Sequence, residues 1–174
     1  MAVVRAGRPI GWRMAFGKPS LKGRALRLLA GREYSRTELE RRLRQHEEQP
    51  GELAAALDEL TAKGFISEAR VVHSVVQRRA ARLGAARIRQ ELQAKGVAPE
   101  AVAAAVQGLQ SSELARAQDV WRRKFDTPPR DAQERGKQMR FLVARGFGGE
   151  TVRKVLAGRG DEDDGGGRYA DAGD

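Results

Sequence analysis

Residues 92–106 read LQAKGVAPEAVAAAV, and residues 142–156 read LVARGFGGETVRKVL. At an offset of 50 they pair Leu92 with Leu142, Gly96 with Gly146, Glu100 with Glu150 and Val102 with Val152. In each stretch an apolar helix stops at a glycine suited to a left-handed terminator, and the next helix carries an acid in its first turn. A second correspondence lies just upstream. SEARVVHSVVQRR (67–79) matches SELARAQDVWRRK (112–124) at an offset of 45, setting Val75 and Val76 on Val120 and Trp121. A weaker copy precedes both, with Leu43 on Leu92, Leu53 on Val102 and Leu57 on Val106 at an offset of 49. Three copies of one helical unit follow from this. Repeats of that size stack on their neighbours into elongated bodies with a long binding face.

The local signals fill in the units. Ser20 opens a helix with Leu21, Ala25, Leu28 and Leu29 at helical spacing. Ser35 and Glu38 form an S-x-x-E capping box, in which each end satisfies an orphan amide of the other. Leu39 and Leu43 make the stripe of that helix, Leu53, Leu57 and Leu60 that of the next, and Gly64 ends it. Ser67 caps a fourth helix with Val72, Val75 and Val76 inward. Ile88 and Leu92 face the core of the fifth, and Pro99 starts the sixth at a first-turn position. The TPPRD break (127–131) divides the first two helices of the last unit. The expected fold is therefore all-α, an elongated tandem array of three three-helix repeats at 20–66, 67–110 and 111–158. A flexible basic arm (1–19) precedes it and a disordered Gly/Asp tail (159–174) follows it.

Composition narrows the chemistry. The 174 residues are 40% hydrophobic but only 5% aromatic, so the core must be built from Leu, Val and Ala. There is no cysteine, which removes thiolate catalysis and thiolate metal sites, and His46 and His73 are the whole imidazole supply. No Walker-type or dinucleotide-binding glycine motif is present. Neither catalysis nor a cofactor is expected. No apolar run approaches the roughly 18 residues of a membrane span, and a cytoplasmic, monomeric protein is expected.

The formal net charge is +10, unevenly placed. Six acids against Arg168 give residues 161–174 a net −5, which leaves +15 on residues 1–160. Such a field draws polyanions or the acidic face of a protein assembly. Arg78, Arg79 and Arg82 are expected along one side of a helix, while Arg87 and Arg89 flank Ile88 and point outward. Arg122, Arg123 and Lys124 repeat the first cluster one unit later, and Lys137, Arg140 and Arg145 echo the second. With Arg70, these form the expected contact strip: Arg70, Arg78, Arg79, Arg82, Arg87, Arg89, Arg123, Lys124 and Arg140. No aromatics interleave with it, so stacking of bases is not expected. Trp121 and Phe125 belong to an apolar stripe. An alternative is a helix-turn-helix DNA-binding protein such as a transcriptional repressor. SRTELERRLRQ (35–45) would be its recognition helix, with Arg36, Arg41, Arg42, Arg44 and Gln45 available. An adaptor for some other acidic assembly is a further alternative.

The order ALRLLAGREYSRTELERRL, LDELTAKGFISEARVV, GAARIRQELQAKGV, WRRKF and RFLVARGF…VRKVL resembles the RecX regulatory family across residues 20–157. REYSRTELERRL and RIRQELQAKG are its most specific pieces. The resemblance implies tandem three-helix repeats and a role in DNA repair and the SOS response. It implies a bacterial regulator that binds RecA within the groove of RecA–DNA filaments. There it would inhibit ATP hydrolysis, strand exchange and coprotease activity; some members also bind DNA directly. One departure stands at the start of the second unit. The family has an acidic pair, then Arg and an aromatic; here the residues are Ser67-Glu68-Ala69-Arg70-Val71. Glu68 and Arg70 are kept, and Val71 replaces the aromatic.

Overall fold

A computed structural model describes residues 18–158. Apart from Lys18 and Pro19, the expected basic arm lies outside the described residues, as does the expected acidic tail. Among the described residues there are nine α-helices and no strand. They are α1 (Leu21–Gly31), α2 (Arg36–Leu43), α3 (Glu52–Ala62), α4 (Glu68–Arg79), α5 (Ala85–Ala94), α6 (Pro99–Gln110), α7 (Glu113–Phe125), α8 (Ala132–Ala144) and α9 (Gly149–Ala157), with a 3₁₀ turn at Arg44–His46 after α2.

The helix ends form where side chains can satisfy orphan amides. Ser20, Ser67 and Asp131 accept from the amides of Gly23, Arg70 and Glu134. The Ser35–Glu38 capping box closes in both directions. Gly64, Gly96 and Gly146 all adopt positive φ just past their helices, at 75°, 72° and 84°.

The helices bury three separate apolar clusters. The first joins Ala25, Leu39, Leu43, Leu53, Leu57, Leu60 and Ile66. The second joins Val71, Val75, Ile88, Leu92, Val102, Val106 and Leu109, and the third Ala117, Val120, Leu142, Phe147, Val152, Val155 and Leu156. Each fully buried Leu, Ile or Val contributes about 1.5–3 kcal/mol of transfer free energy, so each unit has a small core of its own.

Some expectations are corrected in detail. In α4 the innermost side chains are Val71 and Val75, at 1% and 0% exposure, with Val72 and Val76 half-buried. Val71, the one departure from the resemblance, thus stands at a core position. Arg82 lies in the turn beyond α4, which ends at Arg79, and not along the helix. Trp121 and Phe125 are half-buried. Trp121 Nε1 donates to the Gln138 side-chain oxygen at 2.7 Å, and Phe125 meets Phe141 edge-on at 5.0 Å between centroids. Gln138 is polar yet only 4% exposed, because it also donates to the Thr127 carbonyl at 3.3 Å.

The units join by one device used twice. At the first junction, the N-terminus of α2 meets the C-terminal turn of α5. Ser35 Oγ donates to the Lys95 carbonyl, and the Arg41 guanidinium donates to the Ala94 carbonyl at 3.0 Å. At the second, the N-terminus of α5 meets the C-terminal turn of α8. The Gly84 amide donates to Arg145 O at 2.9 Å, Ala86 N to Gly146 O at 3.2 Å and Arg87 Nε to Ala144 O at 3.0 Å. Positive and negative helix poles face each other at both places. The terminating glycines have a second reason here: a Cβ at Gly96 would overlap Thr37, and one at Gly146 would lie 2.6 Å from the Arg87 nitrogen. No hydrogen bond or ion pair joins the first unit to the third among the described residues, so the three units form a linear series.

Candidate functional site

Of the nine expected contact residues, three are engaged with other elements of the chain. Arg70 Nε donates to Glu33 at 2.9 Å, and its second nitrogen donates to the carbonyls of Gly64 and Phe65, each at 2.9 Å. It thereby clamps the end of the first unit to the start of α4. Arg79 pairs with Glu91 at 2.9 Å. Arg87 holds the second junction through Ala144 and reaches Gln90 at 3.3 Å. Arg78 is exposed and folds back on the Ser74 carbonyl of its own helix at 3.1 Å. Arg89 and Arg140 are exposed and make no side-chain hydrogen bond among the described residues.

The remaining three come together. Arg82, from the turn after α4, and Arg123 and Lys124, from the last turn of α7, line one groove of ≈ 370 Å³ at the second junction. Arg145, at the end of α8, completes it, its guanidinium lying 3.6 Å above the Phe141 ring. Ala81, Val120 and Phe141 form the apolar part of the lining, and no acid belongs to it. None of the four cations takes part in an ion pair among the described residues. Like charges held this close raise the local potential and favour an anionic occupant. The groove exists because Arg116 fixes α7 against the second unit: its guanidinium donates to Ala80 O at 2.9 Å, Leu83 O at 2.8 Å and Leu109 O at 3.2 Å. Burial pushes the Arg116 pKa down, with Glu113 acting in the opposite sense.

A second basic groove lies on the first unit, and the contact strip read from the sequence did not include it. Arg24, Arg27 and Leu28 of α1 face Arg41, Arg42, Leu43, Arg44, Gln45 and His46 of α2 and its 3₁₀ turn around ≈ 840 Å³. Arg41, Arg42 and Arg44 were visible in the sequence as candidates for a recognition helix. Arg24 and Arg27 were not singled out; their three-residue spacing on α1 was the available signal, and only the packing of α1 on α2 sets them opposite the others.

The first junction also carries the most strongly organised carboxylate. Glu38 accepts from Lys95 Nζ at 2.8 Å, from Arg32 at 3.0 Å and from the Ser35 amide at 3.0 Å. Burial pushes its pKa up, but the bonds from Lys95, Ser35 and Arg32 outweigh this and hold it at about 2. No described helix is long and apolar enough to cross a membrane.

Comparison with known proteins agrees with this architecture. Models of the first, second and third three-helix domains of RecX match residues 22–60, 67–106 and 111–156. A regulatory protein RecX of Leptothrix cholodnii is 54% identical over 145 residues, covering 82% of this chain and 92% of that protein. One of Ralstonia nicotianae is 47% identical over 139 residues, covering 80% and 87%. Two solved RecX structures share the fold at 18% and 19% identity, with TM-scores of 0.65 and 0.62; the second, from Lactobacillus salivarius, is covered over 92% of its length and this chain over 79%. Three tandem three-helix domains in family order, and relatives matched over nearly their whole length, lead to one conclusion: this chain belongs to the RecX family of regulatory proteins.

Proposed function

We propose that this protein regulates RecA by binding the groove of RecA–DNA filaments in the cytoplasm, acting as a monomer and mainly inhibiting the recombinase, ATPase and coprotease activities. The observation that carries this reading is the groove of Arg82, Arg123, Lys124 and Arg145, four cations with no acid among the lining residues, on a chain of the RecX family. Arg78, Arg89 and Arg140 are further exposed cations of the second and third units. Arg70 and Arg87 contribute by holding the units in the spacing that filament binding requires, and Arg79 braces α4 on α5 within the second unit. A linear array suits a repetitive partner, because successive units can meet successive protomers. Lying across protomers would favour one filament state, and strand exchange requires the filament to change state.

The helix-turn-helix repressor reading is weaker. Such a protein presents the N-terminal residues of its recognition helix to base edges. Here the first turn of α2 is taken up by the first junction, with Thr37 against Gly96 and Glu38 on Lys95. The experiment that tests the proposal is DNA-dependent ATP hydrolysis by RecA with this protein added below stoichiometry. The rate falls if the proposal is right, and an unchanged rate overturns it.

A further inference from the structure

The groove at the second junction gathers four cations and no carboxylate. Ion pairing is common elsewhere on the molecule: Arg32, Arg36, Arg70, Arg79, Arg130 and Lys154 each hold a carboxylate among the described residues. Arg82, Arg123, Lys124 and Arg145 hold none there, and no acid lines the space between them. The chain carries a complement of matching charge. Asp161, Glu162, Asp163 and Asp164 are four consecutive acids that begin three residues beyond Gly158, and three glycines follow them.

Position matches as well as charge. Gly158, at φ 72°, turns the backbone out of α9. With Lys154, Leu156 and Pro128 it lines a cavity of ≈ 520 Å³ against Trp121 and Arg122 of α7. Arg123 and Lys124, the α7 wall of the basic groove, are the next two residues of that same turn. A helix with its side chains is about 10–12 Å across, so passing from one side of α7 to the other takes about 15 Å. An extended residue spans at most about 3.3–3.6 Å, which carries Asp161 to about 10 Å from Gly158 and Asp164 to about 20 Å. The acids therefore reach the groove. The first-unit groove lies two units back along the series, beyond so short a tether.

We infer that the acidic run 161–164 docks into the groove of Arg82, Arg123, Lys124 and Arg145 and acts there as a tethered competitor for the groove's partner. Guanidinium forks match carboxylates in pairs, and four carboxylates meet four cations. Each exposed pair is weak and screened by salt. The tether compensates, because it holds the acids beside the groove at an effective concentration of about millimolar. Docking is therefore reversible and selective. An anion that engages one or two of the cations loses to the tethered run, whereas a surface that engages all four displaces it. The competition rests on the reading of RecA as the groove's partner; the docking itself does not.

The chain has no cysteine, so Gly165→Cys places a single nitroxide just past the acids. The test is paramagnetic broadening of backbone amides in the isotope-labelled full chain, without RecA. At about 0.05 M salt the amides of Arg82, Arg123, Lys124 and Arg145 broaden and those of Arg27 and Arg44 do not; at about 0.5 M salt the groove broadening falls away. It falls away equally in the neutral-tail chain, which combines Asp161→Asn, Glu162→Gln, Asp163→Asn and Asp164→Asn. Arg82→Gln with Lys124→Gln also abolishes it, and the melting curves of both variants match the parent. In the RecA ATPase assay the neutral-tail chain reaches half-inhibition at about two- to tenfold lower protein, as expected if the tail fills the groove about half to nine-tenths of the time. The docking is overturned if the neutral tail broadens the groove as the parent does, if broadening survives high salt, or if Arg27 and Arg44 broaden instead. It is also overturned if a mixture of nitroxide-bearing and isotope-labelled chains shows the same effect, which would put the tail on a neighbouring molecule. Equal half-inhibition by the parent and neutral-tail chains overturns the competition. A parent chain that leaves RecA unaffected overturns the functional reading alone, because the spectra contain no RecA.

Discussion

Glu38 shows how much one side chain can carry. As part of the capping box it receives the Ser35 amide, which fixes the start of α2. Through Lys95, only 14% exposed, it also ties the first unit to the second. Its pKa of about 2 lies below the usual carboxylate range, so the folded state binds its proton less readily than the unfolded chain does. The sign follows: the stabilisation is complete above pH about 4.5 and is lost as pH falls towards about 2. It amounts to about 2–3 kcal/mol. Glu38→Gln should therefore lower stability by about that much at neutral pH, leaving Lys95 half-satisfied. Urea unfolding followed by circular dichroism at neutral pH and at acid pH checks this. The gap between parent and variant should narrow as the medium is acidified, and a pH-independent gap would place the effect elsewhere. The capping role was legible from S-x-x-E spacing; the link to Lys95 was not, because the two residues are 57 apart and nothing local relates them.

At the level of elements, the terminating glycines separate conformational strain from docking. Gly64 and Gly146 both have positive φ, at 75° and 84°, but a Cβ at Gly64 meets nothing within 4 Å while one at Gly146 meets the Arg87 backbone at 2.6 Å. Gly64→Ala should cost about 1–2 kcal/mol, the ordinary penalty of a left-handed alanine. Gly146→Ala should cost clearly more and should also loosen the second and third units from each other. Thermal unfolding and amide hydrogen exchange at Gly84 and Ala86 measure both effects. Equal melting losses with unchanged exchange would show that the glycine serves only to end α8. The sequence made the helix stops readable, since a glycine after an apolar stripe has a local cause. The docking role depends on a partner turn from another repeat, and that lies beyond local pattern. The same limit applies to Arg87. Its flanking of Ile88 correctly placed it outside the core, but a surface arginine can face solvent or the carbonyls of the next unit, and spacing does not distinguish them.

Across the whole molecule, the repeat offsets anticipated three helical units, and the structure shows three separate apolar clusters in that order. The cationic surface was anticipated in composition more than in placement. Arg82, Arg123 and Lys124 converge at the second junction, but not through equivalent repeat positions: Arg82 comes from the turn after α4, and Arg78 and Arg79, the counterparts of Arg123 and Lys124, lie outside the groove lining. Arg70, Arg79 and Arg87 serve the scaffold instead. The first-unit groove escaped the strip because it depends on the packing of α1 against α2, which helical periodicity does not encode. The result is a linear body with two basic recesses, one on the first unit and one between the second and third. The measurement that bears most directly on the proposed role is half-inhibition of RecA's DNA-dependent ATP hydrolysis by the parent chain and by Arg82→Ala, Arg123→Ala, Lys124→Ala. The triple variant should keep its melting curve yet need about tenfold more protein or greater for half-inhibition, in line with the loss of interfacial charge contacts; equal half-inhibition by the two proteins would contradict the account.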